Sequence, residues 1–332
     1  MKRILALVLV IAMFVLAVPA MAEEQKPVTL KLASTIAVGA PGDKAGEAFK
    51  AMVEERTNGL VTIDYYPASQ LGKADEAVEQ MMEGTIDMVW QTLEWYNALQ
   101  KDWSVLNLGF SVGSKEQLQA FFASEKNEEI CNNLIEEDGI RMLAMGGIGT
   151  PRVLISKFPV NTAEDLAAVN MRVPAIETYT KTWQAVGVNC ITLASGDVYM
   201  GFKDGMIDAT EFPLGSVYSN AYHEVANNIT YTNHLFSIYV MAMNEEAFQN
   251  KLTAETREIV TEAAKEACEL YMQYDAEAVS VGVNAMKEYG VQFNETPDLE
   301  SFRAKLRDTA MECEKEGMWS EGLYDYLVSL AK

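Results

Sequence analysis

The chain has 332 residues, of which 49% are hydrophobic and 22% are charged. This length predicts two domains, and the composition supports a large buried core and excludes an intrinsically disordered chain. The 26 basic and 48 acidic residues give a formal net charge of −22. Nucleic-acid binding is therefore not expected, because it needs a basic surface. Two histidines and four cysteines are few for a metal-rich protein, so we expect neither a metal nor a cofactor.

The first 22 residues have the features of a secretory signal peptide. Two basic residues open the chain, an apolar run occupies positions 4–18, and Ala20-Met21-Ala22 matches the small-x-small pattern that signal peptidase cleaves. An uncleaved membrane anchor is the alternative, but a spanning helix needs about 20 apolar residues and this run is shorter. We therefore expect cleavage after Ala22 and an exported, periplasmic protein.

Export places the cysteines in an oxidising compartment, where they could form disulfides. Four cysteines allow three complete pairings, and the sequence does not choose among them. Buried free thiols are the alternative, because three of the four lie in helix-like segments with apolar neighbours. The cysteines are Cys131, Cys190, Cys268 and Cys313.

Strands and helices alternate in the first hundred residues. Period-two patterns and β-rich composition predict strands, whereas apolar residues at helical spacing predict helices between them. Such alternation with short connections predicts a parallel sheet. The predicted elements are a strand at 28–33, a helix from about 42 to 56, a strand at 60–66, a helix at 73–83 and a strand at 86–90.

A short pattern that ends a helix and begins a strand occurs twice. The sequence acidic-Gly-x-Ile-Asp is found at 83–87 and again at 204–208, and its glycine suits the left-handed position after a helix. Because the flanking patterns also match, we predict two α/β lobes of related design. Ligands of open parallel sheets bind beyond the carboxyl ends of the strands, which indicates residues 90–96 and 210–213.

The last third of the chain is predicted to be helical. Thr253 can cap a helix that runs to about Tyr289, and Gly290 can end it. Two helices broken near Gly282 are the alternative. A single helix of this length would bridge both lobes, and a shorter helix is predicted at 299–316.

Signatures of catalysis are absent from the sequence. It contains no Gly-x-Ser-x-Gly elbow, no His-Glu-x-x-His motif and no Walker loop. His223 and His234 lack a suitable third metal ligand, and we interpret them as surface or packing residues. A two-lobed exported protein without a catalytic constellation is better interpreted as a binding protein that closes on its ligand.

Four blocks of sequence, in order, resemble the solute-binding proteins of tripartite ATP-independent periplasmic (TRAP) transporters. The resemblance covers essentially the whole mature chain. The blocks are 57–59 (TNG) with 66–72 (YPASQLG), 84–88 (GTIDM), 149–152 (GTPR) with 171–174 (MRVP), and 205–211 (GMIDATE).

The resemblance implies an α/β fold of the two-lobed periplasmic-binding-protein type, with mixed, largely parallel sheets, a long interlobe helix and a cleft between the lobes. Residues 23–149 with 238–277 are expected to form lobe I, and residues 150–237 with 278–332 to form lobe II. The implied function is capture of a small organic acid by lobe closure and its delivery to the membrane permease subunits of a TRAP transporter. We expect a monomer. A ligand-sensing module and a secreted enzyme acting on small acids are the alternatives.

The resemblance also implies that Arg172 holds the carboxylate of the ligand. A guanidinium suits this role because its planar fork can donate two parallel hydrogen bonds to a carboxylate. An ordinary surface ion pair is the alternative for Arg172. Arg152 is expected to supply a second contact, and Glu211 is placed in the same site. Phe212 occupies a position where many relatives have asparagine, so a flat apolar wall replaces a hydrogen-bonding partner.

The first lobe supplies further candidates near the end of its third predicted strand. Aromatic residues at strand ends are more often core residues, which is the alternative for the two tryptophans. Together with the phenyl ring at position 212, they favour a monocarboxylate with an apolar or aromatic body. The lobe I candidates are Trp90, Gln91, Thr92, Trp95 and, after the first strand, Thr35.

Overall fold

The computed structural model describes residues 24–331, so the predicted signal peptide at 1–22 lies outside the described residues. Within 24–331, no helix is both long and apolar enough to cross a membrane. The strands are β1 (Val28–Ala33), β2 (Val61–Tyr66), β3 (Met88–Thr92), β4 (Ile140–Ser156), β5 (Asn170–Val173), β6 (Asn189–Thr192), β7 (Ala209–Pro213), β8 (Asn228–Thr230), β9 (Phe236–Asn244) and β10 (Gln292–Asn294).

The α-helices lie on both faces of these strands. They are α1 (Pro41–Arg56), α2 (Ala74–Met82), α3 (Lys115–Phe122), α4 (Glu125–Asp138), α5 (Glu177–Val186), α6 (Val198–Lys203), α7 (Leu214–Ser219), α8 (Glu245–Lys251), α9 (Ala254–Tyr289), α10 (Leu299–Lys315) and α11 (Leu323–Ser329).

Two long strands, β4 and β9, connect two halves of the sheet. On one side the order is β2-β1-β3-β9-β4, and on the other it is β10-β8-β4-β7-β5-β6. The β1–β2, β1–β3, β5–β6, β5–β7 and β8–β10 pairs are parallel, and every pair that includes β4 or β9 is antiparallel. The predicted mixed α/β architecture is therefore confirmed. We call the half that contains β1–β3 lobe I and the half that contains β5–β7 lobe II.

The repeated helix-to-strand pattern has the predicted conformation in both lobes. Gly84 and Gly205 adopt φ values of 72° and 74°, which a glycine reaches without steric cost. Asp87 N–H then donates to a β1 carbonyl at 3.1 Å, and Asp208 N–H donates to a β5 carbonyl at 2.8 Å. The strands β3 and β7 thus begin in the same way. β3, however, runs to Thr92, two residues beyond the predicted end, because β9 pairs with it to that point.

The long helix predicted near the C-terminus is a single element, α9, of 36 residues. The Thr253 hydroxyl accepts a hydrogen bond from Thr256 N–H at its start, and Gly290 ends it with a φ of 101°. The alternative break at Gly282 is wrong. A Cβ atom at Gly282 would lie 3.1 Å from the Cβ of Tyr218, so the missing side chain lets α7 pack against α9.

The end of the chain returns to lobe I, and this differs from the predicted assignment of all of 278–332 to lobe II. Phe302, early in α10, packs in a lobe II core with Trp183, whereas Cys313 and Trp319 belong to a lobe I core. Ser320 N–H also donates to Asp102 in lobe I at 2.7 Å. The apolar stripe of α10 thus crosses from lobe II to lobe I. A lobe assignment made from chain order alone could not show this crossing.

All four cysteines are unpaired. Burial raises the pKa of the Cys131 thiol to about 11 and that of Cys268 to about 12, so the thiolate, which is the reactive form, is scarce at neutral pH. When the protein is unfolded without reductant, we expect four thiols per chain to react with a thiol-specific disulfide reagent. In the folded protein we expect few thiols to react. Reductant should leave Tm unchanged. Recovery of two or zero thiols from unfolded, unreduced protein would show that disulfides form.

Candidate functional site

The carboxyl ends of β3 in lobe I and of β7 in lobe II face each other across the middle of β4 and β9. On the lobe I side, Thr92 pairs with Tyr239, which pairs with Gly147 of β4. On the lobe II side, Pro213 pairs with Arg152 of β4. The five residue-to-residue steps from Gly147 to Arg152 span at most about 17 Å. This is enough for a small organic molecule between side chains of both lobes.

Arg172 lies on β5 at the lobe II edge of this gap and is buried, with 2% of its surface exposed. Its Nε donates to the Leu193 carbonyl at 2.9 Å, and its Nη2 contacts the Ser195 hydroxyl at 3.4 Å. Among residues 24–331, no carboxylate forms an ion pair with Arg172. Burial is the main cause that lowers the pKa of Arg172, and the nearby positive charge of Arg152 lowers it further. The negative charge of Glu211 opposes this shift.

The aromatic ring of Phe212 lies close to two guanidinium groups. The Cζ atoms of Arg172 and Arg152 lie 5.1 Å and 5.6 Å from its centroid, within the range of cation–π attraction. Tyr222 packs edge-on against Phe212 at 4.9 Å. The ring therefore orients both arginines, and its own surface is almost fully covered by protein.

Arg152 is already paired in this structure. Its Nη2 donates to Oε1 of Glu211 at 2.8 Å and its Nε donates to Oε2. Within the described part of the chain, Nη1 reaches only the Ser237 hydroxyl, at 3.5 Å, so this nitrogen is the part of Arg152 left for a second contact to an anion. Burial opposes charge on both groups, but the Glu211 charge raises the pKa of Arg152 and the Arg152 charge lowers the pKa of Glu211 well below its usual range.

Glu211 holds other protein groups rather than facing open space. Its Oε2 also lies 3.1 Å from His234 Nε2, and the other ring nitrogen of His234 lies 2.8 Å from the Thr232 hydroxyl. Burial lowers the pKa of His234, which therefore stays neutral. The predicted packing role of His234 agrees with its contact to Trp183 at 5.0 Å, but its hydrogen bond to Glu211 was not foreseen. No local sequence signal joins residues 23 positions apart.

Two of the lobe I candidates point into the interior. Trp90 is completely buried and its Nε1 donates to the Gly42 carbonyl at 2.8 Å. Gln91 is 1% exposed and its Nε2 reaches the Ala74 carbonyl at 3.4 Å. These contacts hold α1 and α2 against β3, so they argue for structural roles at both positions.

The remaining lobe I candidates lie at the edge of the gap. Thr35 and Thr92 are half-buried beyond or at the ends of the adjacent parallel strands β1 and β3, and Trp95 is 40% exposed. Glu94 was not singled out from the sequence, yet it lies in the same turn and is half-buried. Burial raises its pKa, and the charge of Arg152 in lobe II opposes that shift.

A cavity of about 630 Å³ lies between the two lobes. It separates the segment at 36–44 in lobe I from α7 in lobe II, and α9 forms its third wall through Tyr271, Tyr274 and Asp275. Arg172 is not one of its lining residues. The predicted exposed crevice at Arg172 is therefore not seen, because the guanidinium lies deeper, against Phe212 and the turn at 193–195.

Most of the chain matches known proteins of one kind. The model of the family described as bacterial extracellular solute-binding protein, family 7, or DctP, matches residues 32–316. The C4-dicarboxylate-binding periplasmic protein DctP of Rhodobacter capsulatus is 28% identical over 84% of this chain and 83% of its own length.

Two solved TRAP periplasmic solute-binding proteins have similar structures. The protein of Chromohalobacter salexigens, with bound D-glucuronate, is 25% identical with a TM-score of 0.83 over 91% of this chain and 99% of the other. The protein of Actinobacillus succinogenes, with bound L-galactonate, is 26% identical with a TM-score of 0.81 over 92% and 99%. The family match, the two-lobed fold and the buried arginine agree, and the chain belongs to the family 7 bacterial extracellular solute-binding proteins.

Proposed function

We propose that this protein captures a small organic carboxylate in the periplasm and delivers it to the membrane permease subunits of a TRAP transporter. The observation that carries this proposal is that Arg172 is buried and forms no ion pair with a carboxylate among residues 24–331. A buried guanidinium without a carboxylate partner is costly, because the desolvated charge is not compensated. A ligand carboxylate would supply the missing charge and accept the N–H groups that Leu193 and Ser195 leave free.

Capture would proceed by lobe closure. We place the hinge where the predicted lobe boundaries cross β4 at 149/150, β9 at 237/238 and α9 at 277/278. Near that line, Thr150 N–H donates to Asp275 of α9 at 2.6 Å, which ties the helix to the strand. Arg172 has 2% exposure, so a ligand would reach it in a more open state than the one seen. A ligand that contacts both lobes favours the closed state by its differential affinity for that state.

The ligand we propose has one carboxylate and an apolar or aromatic body. The body would occupy the 630 Å³ cavity, which reaches Pro213 next to Phe212 and where Tyr239, Tyr271 and Tyr274 offer ring faces. The sugar acids bound to the two structural neighbours carry one carboxylate each, which supports the anion part of the proposal. We further propose that the protein is a monomer and releases its ligand without chemical change.

A thermal-shift panel of carboxylates tests this function. We expect arylacetates and arylpropanoates to raise Tm more than D-glucuronate, L-galactonate or succinate. A ligand at 100 times its Kd stabilises the folded state by about 2.7 kcal/mol, which is readily detected. Stabilisation by sugar acids alone, or by short dicarboxylates alone, would reject the apolar body. No response to any carboxylate would reject carboxylate capture, and recovery of an altered compound after incubation would indicate an enzyme.

A further inference from the structure

We propose that lobe I binds a soft monovalent cation, Cu(I) or Ag(I), through the thiolate of Cys131 and the thioether of Met145. Both side chains line a second cavity, of about 490 Å³, which the helices α3, α4 and α9 and the strand β4 surround. Among the described residues, none that lines this cavity also lines the 630 Å³ cavity between the lobes. The metal site and the carboxylate site are therefore separate, and neither needs the other.

Sulfur atoms are concentrated around this second cavity. Five of the side chains that line it carry sulfur: Cys131, Met142, Met145, Cys268 and Met272. Thiolate and thioether groups are soft ligands of the kind that Cu(I) prefers. Zinc instead takes thiolate, imidazole and carboxylate ligands, and within 24–331 no group of three or more such side chains could hold a metal ion. The expectation of no metal came from counting cysteines and histidines and left the methionines out.

Two of these sulfur atoms already have the spacing of metal ligands. The Cys131 thiol donates a hydrogen bond to Met145 Sδ, and the two sulfur atoms are 3.6 Å apart. Two sulfur ligands at about 2.3 Å from a tetrahedral metal ion lie about 3.8 Å from each other. One ion can therefore replace the thiol proton and contact both atoms after a small movement. Both side chains are only partly buried, so an ion in the cavity can reach them.

An irregularity in β4 places two methionines on the same side of the strand. Residues three apart on a regular strand face opposite sides of the sheet. Met142 and Met145 nevertheless both pack against one lobe I core, whereas Leu143 and Ala144 belong to the other. The register of β4 with β9 shifts between Met142 and Ala144, as at a β-bulge, which redirects side chains. Met142 therefore lies on the same side as Met145 and can supply a third ligand.

A buried asparagine holds the two sulfur atoms in place. Asn127 is 4% exposed, and its Oδ1 accepts a hydrogen bond from Trp103 Nε1 at 3.0 Å. The Nδ2 group of Asn127 is thereby directed at Cys131 Sγ and Met145 Sδ, at 3.8 Å and 3.7 Å. Hydrogen bonds to a thiolate stabilise its charge, and partners of this kind orient the ligands of a metal site.

Binding exchanges the thiol proton for the metal ion. Cys131 releases its proton to solvent as the sulfur–metal bond forms, and the oxidation state of the metal does not change. Burial and the negative charge of Glu128 raise the pKa of this thiol to about 11. The affinity should therefore rise about tenfold per pH unit near neutrality, because each step in pH removes part of the competition from the proton. The charge of Glu128 also attracts the incoming cation.

Competition of the mature protein with a colorimetric Cu(I) chelator, under argon at pH 7, tests the proposal. We expect one equivalent of Cu(I) to bind tightly and to raise Tm, because the ion joins α4 to β4. Cys131→Ala should weaken this binding at least 100-fold. Met145→Leu, which nearly keeps the side-chain volume, should weaken it at least tenfold. Ag(I), titrated by calorimetry, should show the same order of variants, and Zn(II) should bind more weakly than Cu(I).

Cys190→Ala is the matched control. Cys190 is also partly buried, and burial raises its thiol pKa to about 11 as well. In the described part of the chain its sulfur contacts the Thr180 carbonyl and no methionine sulfur. The control should keep the wild-type affinity.

Three results would overturn the proposal. Equal losses in Cys190→Ala and Cys131→Ala would mean that the metal binds to any thiol of the chain. Unchanged affinity in Met145→Leu would remove the thioether and with it the two-sulfur site, and this variant decides the matter even if Cys131→Ala does not fold. Tighter binding of Zn(II) than of Cu(I) would reject a soft monovalent cation as the ligand.

Discussion

Replacing Arg172 by methionine is expected to abolish carboxylate binding and to leave the ligand-free protein at least as stable as the wild type. Two charge-assisted hydrogen bonds to a carboxylate contribute about 1.5–3 kcal/mol each, so their loss should weaken binding by about 100-fold or more. The ligand-free protein, in contrast, loses a buried charge that forms no ion pair with a carboxylate among residues 24–331. Replacing buried charged groups by apolar groups of similar volume is often neutral or stabilising.

Calorimetric titration and thermal unfolding together measure both parts of this prediction. Arg303→Met is the control, because Arg303 is exposed and pairs with Glu300 only three residues away on α10. It should change neither affinity nor Tm appreciably. Arg172→Lys keeps the charge but lacks the planar fork, and we expect it to restore little affinity. Wild-type affinity in Arg172→Met would remove Arg172 from the ligand site. A large fall in Tm of the ligand-free variant would show that Arg172 is structural.

Features that depend on local physics could be predicted from the sequence. The start and end of α9 follow from a capping threonine and a glycine that adopts positive φ, and both are visible in a short window. The paired glycine turns before β3 and β7 are equally local. Alternation of strands and helices then restricts the sheet to few topologies, which is why the two-lobed architecture could be predicted from the sequence.

Features that depend on which distant residues meet could not be predicted in the same way. Gly282 resembles a helix break, and only the approach of Tyr218 explains it as a packing position. The apolar stripe of α10 does not say which lobe covers it. Trp90 lies at a strand end, where an aromatic side chain is more often core but can also face a ligand, and its hydrogen bond to the Gly42 carbonyl supports a role in the core.

The network around Arg152 shows the same limit at the site itself. With 48 acidic residues in the chain, composition cannot say which one pairs with a given arginine. In the antiparallel pairing of β4 with β7, Arg152 pairs with Pro213, and Glu211 lies two residues before Pro213 on the same strand. This register is a property of the whole sheet. The resemblance singled out both arginines as candidates, but their different states among residues 24–331, Arg152 paired with Glu211 and Arg172 without an ion pair, are set by tertiary structure.

Replacing Glu211 by glutamine is expected to destabilise the protein strongly, because it leaves the buried Arg152 charge without a partner. Removing one member of a buried ion pair typically costs about 3–5 kcal/mol, which corresponds to a fall in Tm on the order of 10 °C. Glu245→Gln is the matched control. Glu245 holds Arg141 with the same two-pronged geometry, at 2.6 and 2.8 Å, but that pair is partly exposed, so we expect a loss of about 1 kcal/mol or less.

The pH dependence of unfolding distinguishes lost charge pairing from a general packing defect. Arg152 holds the folded-state pKa of Glu211 below its usual value of 4.5. The stability from this carboxylate is therefore fully present above about pH 4.5 and is lost as pH falls through the lower folded pKa. His234, whose pKa burial also lowers, acts in the same direction in both proteins. The difference in Tm between the wild type and Glu211→Gln should thus be roughly constant from pH 8 to pH 5 and shrink at lower pH. A difference that persists unchanged into strong acid would mean that Glu211 stabilises the fold by shape alone and that its charge does not hold Arg152 in place.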